Sequence, residues 1–377
     1  IRDDDGGYEE SIIDEKHEAL PVFRNATFEH GRKRTQSFDA LEKRVEVVED
    51  GYPSSYERLR THPDLRSLAA TQRMFLDLYR CMEAAPENGK DTLFFIHGFN
   101  YSWTDALVHL QKLHELYVAP KSSPIGRIVY FTWPSWGSLR RYRKDQEIAR
   151  PSGQLLGRVF GKTVRFYKDF FGEGGRDDTD PRPAFCGGRI HLMAHSMGAQ
   201  VLTEMVRFIR PYAFLDLPIF GEVLILNADE SWRGLEKDRP LFHLPDLAGR
   251  IHVYNHESDD ALRISEWTKN AEKRLGRHGP RDLNKIPPRT LVVDCSDLNG
   301  SARPNETSDS AMLEMARRVL EVENKVDAKE RLFDHWGYLN RPEVLLDIHA
   351  VLRGESSSEM KKTRERRSER LFRLRDR

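Results

Sequence analysis

Ser196 has the sequence surroundings that a nucleophilic serine requires. Residues 190–194 (IHLMA) are apolar and typical of a strand, and a helical pattern begins directly after the serine. Ala194 and Gly198 lie two residues before and two residues after it. Small residues are needed at both positions because the serine of a nucleophile elbow occupies a strained strand-to-helix turn. Such a turn also directs the positive end of the helix dipole toward the hydroxyl. The sequence therefore predicts Ser196 as a nucleophile.

A nucleophilic serine needs amide donors for the negatively charged oxygen that forms during the reaction. One donor is usually the amide of the next residue, here Met197, and another comes from the loop after an earlier strand. The segment 94–100 (FFIHGFN) fits that loop. Gly98 lets the backbone turn tightly and leaves the amide of Phe99 or Asn100 free to donate. We expect an oxyanion site formed by the Phe99 and Met197 amides.

A general base and a carboxylate that orients it should follow the serine in the chain order Ser, Asp, His. Three acids lie at predicted strand ends: Asp229, Asp259 and Asp260. The histidines beyond them are His278, His335 and His349. His349 lies inside the last predicted helix, whereas His335 precedes that helix in a loop that can reach the serine. These residues predict His335 as the base and leave the orienting acid open.

The elements that would position these residues alternate along the chain. Short apolar runs predict strands at 92–96, 128–132, 190–194, 223–226, 251–254 and 290–293. Helical periodicity predicts helices at 63–85, 103–118, 146–171, 197–210, 260–275, 310–332 and 341–353. Two weaker strand-like runs occur at 20–23 and 45–48. Nearly continuous hydrophobicity within the main runs is typical of strands buried on both faces. The alternation predicts an α/β fold with a mostly parallel, doubly wound sheet.

Several short motifs occur together in this order. They are HGFN at 97–100, FTWPS at 131–135 with a downstream Tyr142-x-x-Asp145, AHSMG at 194–198, NAD at 227–229, DDAL at 259–262 and H-x-x-Y at 335–338. The set resembles a mostly bacterial family of α/β-hydrolases that is catalogued as a domain of unknown function. The resemblance covers roughly residues 90–354 and implies an α/β-hydrolase fold.

The same resemblance implies roles for individual residues. The nucleophile would be Ser196, the oxyanion loop 97–100, the acid Asp259 and the base His335. The loop after the penultimate strand usually supplies the orienting acid in such a pattern, which favours Asp259, with Asp229 as the alternative. Lipase-like and esterase-like serine hydrolases share this arrangement.

The predicted catalytic domain spans 90–354, between an N-terminal extension at 1–89 and a tail at 355–377. The tail has nine Lys and Arg against five Asp and Glu, and we expect it to be a solvated, polar segment. Between the last strand and His335, an amphipathic stretch carries Met312 and Met315 on its apolar face. We expect this helix, with the loop at 172–188, to cover the acyl pocket as a cap. Packing on the sheet away from the site is the alternative.

Composition excludes several classes of protein. Lys and Arg number 60, and so do Asp and Glu, so net charge gives no reason to expect a nucleic-acid partner. No apolar run approaches the length of a membrane span, and the first ten residues lack the apolar stretch of a signal peptide. Three widely separated cysteines form neither a disulfide framework nor a metal-type pair, which suits the reducing cytoplasm.

His252 and His256 lack a third ligand at metal spacing, so we expect neither a metal nor another cofactor.

The sequence thus predicts a serine hydrolase that cleaves an ester through a Ser196 acyl-enzyme, with amides and thioesters as alternatives. The expected substrate is a small-molecule or lipid acyl compound. A catalytically inactive binding or scaffold module with the same fold is the second hypothesis, because a fold does not establish a function. Acyl-chain length and oligomeric state do not follow from the sequence.

Overall fold

A computed structural model describes residues 24–28, 45–49, 70–86, 89–99, 101, 103–135, 142–171, 188–210, 219–268, 272–298 and 334–375. Their strands are β1 Arg24–Phe28, β2 Val45–Glu49, β3 Asp91–Ile96, β4 Ile125–Phe131, β5 Ile190–His195, β6 Phe220–Leu226, β7 Ala248–Asn255, β8 Thr290–Asp294, β9 Arg364–Arg366 and β10 Leu371–Leu374. Their α-helices are α1 Ala70–Ala84, α2 Trp103–Leu113, α3 Tyr142–Phe171, α4 Gly198–Ile209, α5 Asp260–Thr268, α6 Leu275–His278, α7 Gly337–Asn340 and α8 Pro342–Leu352.

Eight of these strands form one sheet in the order β4-β3-β5-β6-β7-β8-β10-β9. All neighbouring strands run parallel except β10 and β9, which are antiparallel. The α/β fold class with a mostly parallel sheet is confirmed. Every residue of β5 and of β6 is buried, as the continuous apolar runs predict for strands covered on both faces.

Alternate residues of the central strands enter two cores, one on each face of the sheet. Phe94, Leu192 and Val223 belong to the core that contains buried residues of α3 and α4. Phe95, Met193 and Leu224 belong to the core that contains buried residues of α8 and Tyr117. The helices therefore cover both faces, which is the doubly wound arrangement.

The strand order reverses next to β3, because β4 lies on one side of it and β5 on the other. The loops that leave β3 and β5 therefore diverge at the carboxyl edge of the sheet. In open α/β sheets, ligands bind in the crevice at such a switch point. Gly98 follows β3 and Ser196 follows β5, so both lie at this crevice.

The C-terminal segment differs from the solvated tail that its composition suggests. Residues of β10 pair with β8 in parallel, and β9 pairs with β10, so this segment extends the sheet by two strands. Phe372 and Leu374 are buried, and so is Arg364, whose guanidinium forms two hydrogen bonds with buried Asp347. A charged residue can enter the core here because a buried carboxylate compensates its charge.

Other elements also differ from their predicted bounds. The first described strand is Arg24–Phe28, the strand predicted at 20–23 lies outside the described residues, and the helix predicted at 260–275 ends at Thr268. Arg274 instead forms an isolated bridge with Ser231. The predicted cap helix at 310–332 and nearly all of the loop at 172–188 lie outside the described residues. Within the described part of the chain, no helix has the length and apolar character needed to cross a membrane.

Candidate active site

Ser196 occupies the turn between β5 and α4 with a strained backbone. Its φ of 52° lies in the left-handed region that a residue with a side chain rarely adopts. Two backbone hydrogen bonds hold the turn: the Ser196 amide donates to the Leu226 carbonyl at 3.0 Å, and the Asp229 amide donates to the Ser196 carbonyl at 3.0 Å. The end of β6 therefore supports the strained residue.

Two glycines let the neighbouring chain approach this turn. A Cβ atom on Gly198 would lie 2.6 Å from the carbonyl oxygens of Ile96 and His97. A Cβ atom on Gly98 would lie 2.8 Å from the Cβ of Ser196. The loop after β3 thus packs directly against the serine, and a side chain at either position would displace it.

Asp259 and His335, separated by 76 positions in the chain, form a hydrogen bond of 2.8 Å between Oδ2 and Nδ1. Asp259 is buried immediately before α5 and also accepts hydrogen bonds from the Leu262 amide at 3.0 Å and the Asn227 side chain at 2.9 Å. Burial alone would raise the pKa of Asp259. The electrostatic interaction with His335 and the three hydrogen bonds outweigh burial and lower that pKa below its usual value.

The segment that carries His335 is attached to the residue just before the serine. The Nε2–H of His195 donates to the His335 carbonyl at 2.9 Å, and the two rings lie 4.7 Å apart. Burial, with the adjacent His335, lowers the pKa of His195 well below its usual range, so its ring is neutral. His195 therefore acts as an uncharged donor that ties the histidine-bearing segment to the end of β5.

Asn227 is a site residue to which sequence reasoning assigned no role. Its φ is 42°, and its side-chain amide donates to Asp259 Oδ2 and to the Asp334 carbonyl at 3.0 Å. One side chain thus links the acid to the segment that carries His335. The NAD motif at 227–229 contained this signal, although nothing in it specified the contact.

Asp229 lies in a different network. Its carboxylate accepts a hydrogen bond from Ser265 at 2.7 Å and a short one from the Tyr142 hydroxyl, and Arg274 Nε lies 3.5 Å away. Burial and the charge of Asp229 raise the pKa of Tyr142. The structure therefore brings His335 to Asp259, whereas Asp229 contacts a tyrosine, a serine and an arginine.

The loop after β3 is held by His97. The Trp133 amide donates to His97 Nε2 at 3.1 Å, so that nitrogen accepts and the proton resides on Nδ1. Nδ1–H then donates to the Gly98 carbonyl at 2.7 Å. The ring also stacks on Trp133, with the centroids 5.6 Å apart. The FTWPS segment after β4 thus buttresses the loop that contains Phe99.

The remaining candidates lie in other surroundings. His278 pairs with Glu266 at 3.0 Å, and His349 donates from Nε2 to the Leu116 carbonyl at 2.9 Å inside α8. His252 contacts Glu222 at 3.1 Å, and His256 lies 3.4 Å from Asp334. Asn100 lies outside the described residues. Across the ranges that the structure describes, no group of three His, Cys, Asp or Glu residues could hold a metal ion.

A mostly parallel sheet with a serine on a strained strand-to-helix turn defines the α/β-hydrolase class. The family model described as "alpha/beta hydrolase of unknown function (DUF900)" matches residues 81–165 and 184–347. The chain belongs to this family, which confirms the resemblance seen in its motifs. No solved structure matches the chain.

Proposed function

We propose that this protein is a serine hydrolase that cleaves a carboxylic ester through an acyl-enzyme on Ser196. The observation that carries the proposal is the Asp259–His335 hydrogen bond on a segment attached to the turn of Ser196. A buried carboxylate, an imidazole and a serine on a strained turn are the three groups that acyl transfer requires. Membership of an α/β-hydrolase family supports hydrolytic chemistry in general.

In the proposed reaction, Ser196 Oγ attacks the carbonyl carbon and His335 Nε2 takes the hydroxyl proton. The tetrahedral intermediate collapses when the C–O bond to the alcohol breaks, and His335 returns the proton to the leaving oxygen. Water then attacks the acyl-enzyme with His335 as base, which releases the acid and restores the serine. Asp259 keeps the proton on Nδ1 and stabilises the imidazolium. Amides and thioesters would follow the same steps.

The amides of Met197 and Phe99 would bind the oxyanion. Met197 precedes the first turn of α4, where amide groups have no partner within the helix. The Gly98 carbonyl is held by His97 Nδ1–H, and the N–H on the other side of a trans peptide points in the opposite direction. His97 would therefore orient the Phe99 amide. This arrangement supplies two donors without any metal or organic cofactor.

The proposed substrate is a small-molecule or lipid acyl compound, because the triad acts on the acyl carbonyl rather than on the groups attached to it. For the compartment we propose the cytoplasm, which is consistent with free thiols at Cys81 and Cys295.

Labelling with a fluorophosphonate probe tests the proposal, because the probe reacts with serines that a base activates. We expect the wild-type protein to be labelled on the peptide that contains Ser196, as mapped by mass spectrometry. The Ser196→Ala variant should lose that label. The matched control is Ser152→Ala, which removes a buried serine of α3 and should leave labelling unchanged.

Circular dichroism of each variant establishes that the samples are folded. A folded wild-type protein that is not labelled would contradict the proposal and favour the inactive binding module. Labelling that persists in Ser196→Ala would place the nucleophile elsewhere. Hydrolysis of p-nitrophenyl esters of increasing chain length would then define the acyl preference.

A further inference from the structure

A polar cavity of about 210 Å³ lies between α3, α4 and the segment that follows β6. None of Ser196, Asp259 and His335 lines it. Four arginines contribute to its wall: Arg150 from α3, Arg207 from α4, Arg239 and Arg274. Four guanidinium groups around one small cavity create a strongly positive environment.

Arg274 is the most enclosed of the four, with only 5% of its surface exposed. Its Nε atom is buried and has no hydrogen-bond acceptor among the described residues. Asp229 Oδ1 lies 3.5 Å away, which is close enough for an ion pair but longer than an ordinary N–H···O hydrogen bond. A buried charge is stabilised only when it is paired and hydrogen-bonded, so Arg274 is incompletely satisfied by the described residues.

Arg239 also has a donor without an acceptor, although 40% of its side chain is exposed. Its Nε atom is buried without an acceptor in the described part of the chain, and Asp238 Oδ2 lies 3.8 Å away. That distance is too long for a charge-assisted hydrogen bond. Two arginines in one cavity wall thus have donor capacity that the described residues leave unused.

Two acids of the wall, Glu204 and Glu230, offset part of this charge. Glu204 lies 3.3 Å from Arg207 Nε and is paired with it. Glu230 accepts hydrogen bonds from Thr203 at 2.7 Å and from the Ser231 amide at 2.8 Å. Burial raises the pKa of Glu230 above its usual value, against the opposing effect of these hydrogen bonds. Four arginines against two glutamates leave the cavity wall with an excess of positive charge.

We propose that this cavity binds a phosphate group, either as inorganic phosphate or as the phosphate of a larger molecule. The arginines come from separate segments and approach the cavity from several directions, which suits a tetrahedral oxyanion better than a planar carboxylate. Guanidinium groups form paired, charge-assisted hydrogen bonds with phosphate oxygens. Gln200 and Thr203 in the same wall supply further polar groups.

The cavity is structurally connected to the candidate active site. The Gln200 side chain donates to the Asp229 carbonyl at 2.6 Å, and the Asp229 amide donates to the Ser196 carbonyl. A phosphate bound here would lie beside the turn of the serine without contacting the triad. The site does not depend on the proposed hydrolysis, because its binding can be measured without turnover.

Isothermal titration calorimetry with inorganic phosphate and with phenyl phosphate tests the proposal, at constant ionic strength. We expect saturable binding to the wild-type protein, weakened at least ~10-fold in Arg239→Gln, because one charge-assisted contact is lost. Arg150→Gln should also weaken phosphate binding. The matched control is Arg143→Gln, an exposed arginine on the same helix α3 that does not line the cavity.

Absence of saturable binding to the folded wild-type protein would overturn the proposal. Equal weakening by Arg143→Gln and Arg239→Gln would also overturn it, because the effect would then be general electrostatic attraction. If both ligands bind equally well, the site takes free phosphate. Tighter binding of phenyl phosphate indicates the phosphate of a larger molecule.

Discussion

At the scale of single residues, the bond from His335 to Asp259 determines the state of the imidazole. Asp259 Oδ2 accepts the hydrogen bond from His335 Nδ1–H, so Nδ1 carries the proton and the lone pair remains on Nε2. The lowered pKa of Asp259 keeps the carboxylate ionised at neutral pH. A base for the serine hydroxyl needs this tautomer.

Asp259→Asn should therefore abolish most of the activity. The asparagine side chain can donate to Nδ1, which favours the tautomer with the proton on Nε2. We expect turnover of a p-nitrophenyl ester to fall by about 10⁴-fold. Steady-state kinetics with circular dichroism as the folding check would measure this.

Asp229→Asn is the matched comparison, because Asp229 is equally buried but contacts Tyr142 and Ser265 instead of His335. The fold-loss of turnover in Asp229→Asn should be at least ~100 times smaller than in Asp259→Asn, because the tautomer of His335 is preserved. If Asp229→Asn loses more turnover than Asp259→Asn, Asp259 is not the carboxylate that orients His335.

At the scale of elements, the start of α4 packs against the end of β3. Gly198 is the first residue of α4, and an added Cβ would meet the backbone carbonyl oxygens of Ile96, at the end of β3, and of His97, in the loop that follows. Backbone atoms cannot move aside as a flexible side chain can. The helix that carries the serine turn and the loop that carries Phe99 are thus coupled at this contact.

Gly198→Ala should displace that loop and lower both stability and fluorophosphonate labelling. We expect a loss of about 1–3 kcal/mol in the free energy of unfolding, as for overpacking in a core. The control is Gly161→Ala inside α3, where an added Cβ meets nothing within 4 Å. That change should stabilise the protein by about 0.5–1 kcal/mol and leave labelling unchanged. Urea denaturation measures the stability of both variants. Normal labelling of Gly198→Ala would contradict the coupling between α4 and the loop that carries Phe99.

At the scale of the whole molecule, the C-terminal strands are attached to the domain by a buried ion pair. Arg364 donates to both oxygens of Asp347 at 2.6 Å and 2.7 Å, and to the Tyr254 hydroxyl at 3.2 Å. Tyr254 in turn donates to Asp347 at 2.7 Å. Three groups from β9, α8 and β7 thus hydrogen-bond to one another within the core through Arg364 Nε and Nη2, whereas Nη1 has no acceptor among the described residues.

Arg364→Met should destabilise the protein by about 3–5 kcal/mol, because it leaves Asp347 buried without a partner charge. The double variant Arg364→Met with Asp347→Leu should lose less than the sum of the two single changes. Arg353→Met, in the exposed pair with Glu355, is the control and should change stability by less than about 1 kcal/mol. Additive losses in urea denaturation would show that the pair is not coupled.

The sequence by itself determined the central strands and the turn of Ser196. Buried parallel strands are marked by continuous apolar runs, and the turn requires small residues at 194 and 198. Both signals are local, because they reflect the backbone and the burial of adjacent residues. The order of motifs along the chain was sufficient to indicate the family.

Only the tertiary structure decided which acid meets His335. Asp229 and Asp259 both lie at strand ends, and the difference between them depends on where a segment more than 70 residues later returns to the sheet. The sequence did not predict the burial of Arg364 either, because the carboxylate that compensates its charge, Asp347, lies on a different element of the fold. Periodicity records which face of an element is apolar, whereas the pairing of charges between elements depends on how those faces are brought together.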